Sequence, residues 1–224
     1  MCGRFTSLLS PELLAAIFGV PVPVAAEPRY NIAPTQNVWV VRNEGDHNRL
    51  DLMKWGLVPF WAKDPSIGNQ MINARCETLA EKPAFRQAIK HRRCIVPAAG
   101  FYEWAPPATA GGRKQPLYIH MADASPMCFA GLWEQWKHPG EEGLLESFTI
   151  ITTKANEMIA PLHDRMPVIL QPDDFGLWLS HNMHDPEQLQ EIYRPFPSDL
   201  LEAYSVSDLV NNARYDSPAC IARV

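Results

Sequence analysis

Apolar positions along this chain follow the short period of strands more often than the period of a helix. Segments dense in aromatic and β-branched residues run from Val38 to Arg42, Leu50 to Leu57, Cys94 to Trp104, Leu117 to Met121, Met127 to Trp136, Phe148 to Thr153 and Pro167 to Leu170. Such side chains suit a pleated, half-buried surface, so each segment predicts a strand. Helical spacing is confined to four stretches. Ser10 can cap a helix reaching to Phe18, with Pro11 at its first position and Glu12 in its first turn. Lys82–Arg92, Asp173–Leu179 and Pro186–Tyr193 predict the other three. The run from Ala105 to Gly112 lies between two apolar stretches and predicts a long hairpin connection. Strands mixed with peripheral helices indicate the α+β class, with a mainly antiparallel β-sheet forming a barrel-like core.

Composition adds limits. The chain has 224 residues, 46% hydrophobic and 20% charged, enough to bury a core without disulfides or metals. Its 21 prolines are scattered and punctuate short elements, with no repeat and no low-complexity tract, which predicts one domain over residues 1–224. A net charge of −5 speaks against a uniformly basic nucleic-acid binder, yet a basic cleft can sit on an acidic body. The five cysteines, Cys2, Cys76, Cys94, Cys128 and Cys220, are odd in number and include no Cys-x-x-Cys pair. That disfavours a disulfide framework or a zinc ribbon and favours a reducing compartment. Cys76, Cys94 and Cys128 read as small buried hydrophobes. The apolar stretch Leu13–Ala26 is broken by Pro21 and Pro23 and is too short to cross a membrane, so a cytoplasmic protein is expected. No cofactor and no metal are expected.

The chemically distinctive feature is the start, Met1-Cys2-Gly3-Arg4-Phe5. Removing an initiator Met ahead of a small residue leaves an amine and a thiol on adjacent carbons. An α-amine has a reference pKa of about 7.7–8.0, far below that of lysine, so part of it is a free nucleophile at neutral pH. It condenses with an aldehyde to an imine and water. The thiol then adds across the C=N bond, closing a five-membered thiazolidine. Closures of this kind reach effective molarities of about 10⁵ M or more. An N-terminal Cys is therefore an aldehyde trap, and a ring-opened abasic site in DNA is an aldehyde. The competing chemistry is a thiol nucleophile paired with His91, His120 or His163.

Several other segments bear on the choice. They are Arg29-Tyr30-Asn31-Ile32-Ala33-Pro34, Lys54-Trp55-Gly56-Leu57-Val58-Pro59-Phe60-Trp61, Asn73-Ala74-Arg75-Cys76-Glu77-Thr78, Gly100-Phe101-Tyr102-Glu103-Trp104, Leu162-His163-Asp164-Arg165-Met166-Pro167, Val206-Ser207 and Val210-Asn211-Asn212. In this order, behind a residue-2 Cys, they resemble the SOS-response-associated peptidase (SRAP) family of abasic-site processing proteins. The resemblance runs from Cys2 to about Asn212. It implies covalent capture of abasic sites in single-stranded DNA by Cys2. Asn73 would hold the opened sugar, Glu103 would shuttle protons, and His163 would be a second acid–base group. Read without it, Glu103 is an outward-facing strand residue, His163 a loop histidine and Asn73 a turn residue.

Arg4, Arg75 and Arg165 lie within two residues of these positions and are the candidate phosphate contacts. Phe60 and Trp61 could stack on bases, although core packing is the favoured reading for Trp61. Pro34 and Thr152 match positions lining the DNA cleft. Glu77 is assigned to structure, paired with an arginine. The expected partner is single-stranded DNA containing abasic sites, bound by a monomer with no membrane association. Two alternatives stay open: a Cys2/His163 thiol (auto)peptidase, and a non-covalent damaged-DNA binding module.

Overall fold

The computed structural model describes residues 2–21, 26–107, 109, 111–138 and 143–224. In chain order the elements are β1 (Phe5–Ser7), α1 (Pro11–Phe18), β2 (Arg29–Ile32), β3 (Asn37–Glu44), β4 (His47–Trp55), β5 (Asn73–Arg75), α2 (Ala88–His91), β6 (Arg93–Ala98), β7 (Gly100–Ala105), β8 (Gln115–Met121), β9 (Met127–Lys137), β10 (Leu144–Lys154), β11 (Arg165–Pro167), α3 (Phe175–Leu179) and β12 (Leu201–Ser205). The expected α+β architecture is present. β10, β4, β3, β6 and β9 pair in that order, and β9 pairs back with β10, so five strands close into a barrel. β11 and β5 attach through β10. A second sheet has the order β12-β8-β7-β1-β2. The pairings are antiparallel except β10 with β4 and β10 with β5, which are parallel.

One core fills the space between the sheets. Phe5, Trp55, Phe101, Phe129 and Phe148 are fully buried in it, and Cys2 belongs to the same cluster. Phe5 of the second sheet meets the rings of Trp55 and Phe129 edge-on at centroid distances of 5.0 and 5.9 Å. Such pairs add about 0.5–1.5 kcal/mol each beyond area burial. They hold β1, and with it the chain start, against the barrel.

The α1 prediction matches the structure at both ends. Ser10 Oγ accepts from the Leu13 amide, Pro11 opens the helix, and Gly19 ends it with φ 64°. The predicted hairpin connection joins β7 to β8; residues 108 and 110 within it lie outside the described residues. So do residues 22–25 of the Leu13–Ala26 stretch. Among the described residues no helix is long and apolar enough to cross a membrane.

Other expectations are corrected. Lys82–Arg92 is helical only over Ala88–His91. Pro83 has no N–H to donate, and Phe85 and Arg86 both bond to Lys82 O, so turns precede the helix. Pro186–Tyr193 is a 3-10 helix capped by Asp185. Pro167–Leu170 continues β11 through a single bridge, Phe129 to Ile169. Cys94–Trp104 is two strands in different sheets, parted at Ala99. Gly100 opens the second, where a Cβ would lie 2.5 Å from Ile119 O and 2.6 Å from the Tyr118 ring.

A second close approach fixes the loop after β4. Gly56 has φ 122°, and a Cβ there would lie 2.6 Å from Gly68 O; the converse Cβ on Gly68 would lie 2.5 Å from Gly56 O. Two backbones in direct contact admit no side chain between them. We expect Gly68→Ala to lose about 1–3 kcal/mol of stability, as overpacked sites do, measured as a lower urea midpoint with an unchanged slope.

Candidate active site

β1 and β7 run antiparallel with Phe5 opposite Phe101, and the Tyr102 amide donates to Arg4 O at 3.0 Å. The chain start therefore lies along Glu103. Alternation on β7 puts Phe101 and Glu103 on the core face, while Tyr102 and Trp104 pack outside with Tyr118, Val206 and Val210. Glu103 is 5% exposed, which removes the outward-facing reading. Cys2 is fully buried. Burial, and then the Glu103 carboxylate, push its thiol well above the ordinary range. Since only the thiolate is a strong nucleophile, this is a poor setting for a free-standing thiol attack.

Asn73 reaches the same point from the barrel side. Its strand β5 pairs in parallel with β10, Asn73 opposite Ile150. The Trp55 indole N–H donates to Ile72 O at 2.9 Å, fixing the residue before it. Asn73 Nδ2 then donates to Cys2 O at 2.9 Å. Its Oδ1 is buried and accepts no hydrogen bond from the described residues. An amide so placed holds the chain start with one end and offers an acceptor with the other.

His163 stands apart from this contact. It lies in the β10–β11 connection, half-buried, its amide bonded to Ile159 O at 2.9 Å. Its Nδ1 is 3.0 Å from the Arg165 amide and 2.8 Å from Asp164 Oδ1. These neighbours compete for one atom, because the amide needs its lone pair and the carboxylate its proton. Among the described residues no hydrogen bond links His163 to Cys2 or Asn73.

The arginines divide. Arg165 is buried and grips Glu77 with two nitrogens, at 2.6 and 2.9 Å, besides donating to Thr152 O. Glu77 is thus the structural partner expected of it. Arg4 donates to Asn31 Oδ1 at 2.8 Å and Val210 O at 2.6 Å. Arg75 is exposed and pairs with no carboxylate among the described residues. Thr152 is buried, its hydroxyl 3.4 Å from Ala74 O, and Pro34 is half-buried in the turn before β3. Phe60 and Trp61 are 58% and 47% exposed, which corrects the core reading for Trp61. With Pro83, Arg86 and Gln87 they line a surface pocket of about 340 Å³. Cys94 and Cys128 are buried as expected, whereas Cys76 is half-buried beside Thr153 and Glu77.

Two structural contributors escaped the sequence reading. The Trp55 indole and the Asn31 amide both lie in quoted segments, but nothing in their spacing announces a hydrogen-bond partner.

A sheet that delivers a buried residue-2 cysteine between an asparagine and a glutamate defines a class, and the comparisons agree with it. The profile of the SOS response associated peptidase (SRAP) family matches residues 1–213, and the chain belongs to that family. It is 45% identical over 226 residues to the abasic site processing protein YoqW of Bacillus subtilis, covering 99% of each chain. It is 34% identical over 222 residues to the abasic site processing protein YedK of Escherichia coli, covering 96% of each. A crystal structure of a protein from Bacteroides thetaiotaomicron superposes with a TM-score of 0.88 at 25% identity, covering 100% of both chains.

The Arg165 pair has a pH signature. Its guanidinium holds the Glu77 carboxyl down to about 2, from an ordinary 4.5. A depressed carboxyl pKa stabilises the fold above the unfolded value and loses that contribution as pH falls from 4.5 towards 2. The Glu77 side chain is 44% exposed, so solvent screens part of the effect. We expect Glu77→Gln to be less stable at pH 7 and to lose stability less steeply over that acid window, read by urea unfolding at stepped pH.

Proposed function

We propose that this protein processes abasic sites by covalent capture in single-stranded DNA, through the N-terminal amine and thiol of Cys2 once Met1 is removed. The observation that carries the reading is the Asn73 Nδ2 to Cys2 O hydrogen bond beside the buried Glu103. It sets a residue able to trap an aldehyde between a neutral amide and a carboxyl group. The names of the relatives point to the same lesion.

The chemistry balances without a cofactor. The Cys2 amine attacks the C1′ aldehyde of the ring-opened sugar. The carbinolamine loses its hydroxyl as water, Glu103 passing to it the proton that the amine nitrogen gives up. The thiol then adds across the C=N bond: sulfur bonds to carbon, and its proton passes to nitrogen by way of Glu103. The raised thiol pKa suits this order, because the sulfur stays a neutral S–H until an imine is beside it. Asn73 Oδ1 accepts from the sugar, and His163 serves the former ring hydroxyl. Ring closure removes the iminium that would drive β-elimination, so strand cleavage is weak. Because recognition rests on an aldehyde and a missing base, sequence specificity is low. Single-stranded DNA crosses the site with Arg75 on its phosphates and Phe60 and Trp61 against its bases; Pro34 and Thr152 shape the cleft wall. Arg165, buried and with its charge met by Glu77, contributes to the shape of the cleft.

Intact mass of the purified protein, with and without abasic single-stranded DNA, tests the proposal. The expected result is a chain lacking Met1 and an adduct that survives denaturing electrophoresis without a reductant. Cys2→Ala should abolish the adduct, and acetylating the amine should do the same. An adduct that survives acetylation would instead support a thiol mechanism with His163. For the DNA path, Arg75→Ala should lower the dependence of log affinity on log salt by about 0.7, the value for one phosphate on a single strand. An unchanged slope would remove Arg75 from the interface.

A further inference from the structure

Two segments whose residues take no part in the proposed chemistry, Arg29–Ala33 and Val210–Asn212, meet at one side chain. Asn31 on β2 is fully buried. Its Nδ2 lies 3.2 Å from Val210 O, 3.0 Å from Asn212 O and 2.7 Å from Tyr215 O. Its Oδ1 accepts from Arg4 Nη1 at 2.8 Å. Arg4 also donates to Val210 O at 2.6 Å and, through Nη2, to Asn211 O at 3.4 Å. The C-terminal segment is tied down by further bonds around this point. Asp216 Oδ1 accepts the Tyr30 and Asn31 amides, and the Trp104 indole donates to Asn211 Oδ1 at 2.8 Å.

Among the described residues the partners of Arg4 are neutral oxygens, whereas Arg42, Arg165 and Arg29 each face a carboxylate. Neutral acceptors fix a guanidinium without cancelling its charge. Among the described residues three oxygens accept from the five N–H donors of Arg4, which leaves donors for an anion. This cation lies two residues from Cys2.

We infer that Asn31 is a positioning residue: it clasps the segment 210–215 onto β1 and β2, and thereby holds the Arg4 guanidinium charged and aimed at a phosphate of the bound strand. The inference rests on the proposed capture of abasic DNA. Asn31 touches no substrate; it acts through Arg4. An aspartate at this position would have nearly the same shape and would give Arg4 the carboxylate partner that it lacks among the described residues.

The test uses the full chain and a labelled single strand carrying tetrahydrofuran, an abasic analogue with no aldehyde. Affinity is followed by anisotropy between about 50 and 200 mM salt. Arg4→Gln should lower the log–log salt slope by about 0.7, one single-strand phosphate contact. Asn31→Asp should lower it equally, and the double variant should lose no more than either single one. A merely structural role would shift the urea midpoint and leave the slope alone. If Asn31→Asp fails to fold, judged by near-UV circular dichroism, Asn31→Ser replaces it; its short hydroxyl cannot span the four partners, and the same slope change is expected. The inference is overturned if the Asn31 variant keeps the wild-type slope while Arg4→Gln lowers it. It is overturned equally if Arg4→Gln leaves the slope unchanged, or if the two effects add. Wild-type protein that forms no adduct with authentic abasic DNA, yet shows these slopes, would instead sink the capture chemistry and leave the Asn31 role standing.

Discussion

The site exists because two sheets are tied together at the chain start. Cys2 precedes β1 in the open sheet, and Asn73 belongs to β5 on the barrel; a 2.9 Å hydrogen bond joins them. Behind it, Trp55 performs two tasks. Its ring meets Phe5 at 5.0 Å, and its N–H holds the carbonyl of Ile72. A strand end would ordinarily fray. Here Cys2 and Phe5 are packed into an aromatic core, and the backbone around them is hydrogen-bonded on both flanks, which gives Cys2 the fixed geometry usually reserved for residues far from a chain end.

Burial shapes the chemistry as much as geometry does. A thiol shielded from water beside a carboxylate resists ionisation. That weakens it as a free nucleophile and is compatible with the second step of the proposed ring closure, in which the sulfur adds to an imine already formed beside it. A thiol hydrolase needs a readily ionised sulfur, and the surroundings of Cys2 work against that.

The acidic composition is reconciled by where the cations are consumed. Arg42 pairs with Asp51 and Glu146, Arg92 with Glu134 and Arg165 with Glu77. Arg93 is spent on four carbonyl oxygens. Among the described residues, the cations near the site without a carboxylate partner are Arg75, which is exposed, and Arg4, which is bonded to neutral oxygens. A net charge of −5 therefore says little about the surface a DNA strand would meet.

The sequence by itself determined the features that depend on local rules. Ser10, Pro11 and Glu12 marked the start of α1 because a helix cap is read within a few residues. The long strands β3, β4, β9 and β10 were legible because alternation over many residues is a strong signal. The order of short segments behind Cys2 was enough to reveal the family. Tertiary structure alone decided the rest. Strands of three to five residues, β1, β2, β5, β11 and β12, carry too little pattern to be seen, and they are stabilised only by pairing with distant partners. Those strands deliver Cys2, Asn31, Asn73 and Arg165. Whether Glu103 faced water or core, whether Trp61 was buried, and which arginine met a carboxylate all depended on contacts between residues far apart in the chain, which no local spacing records.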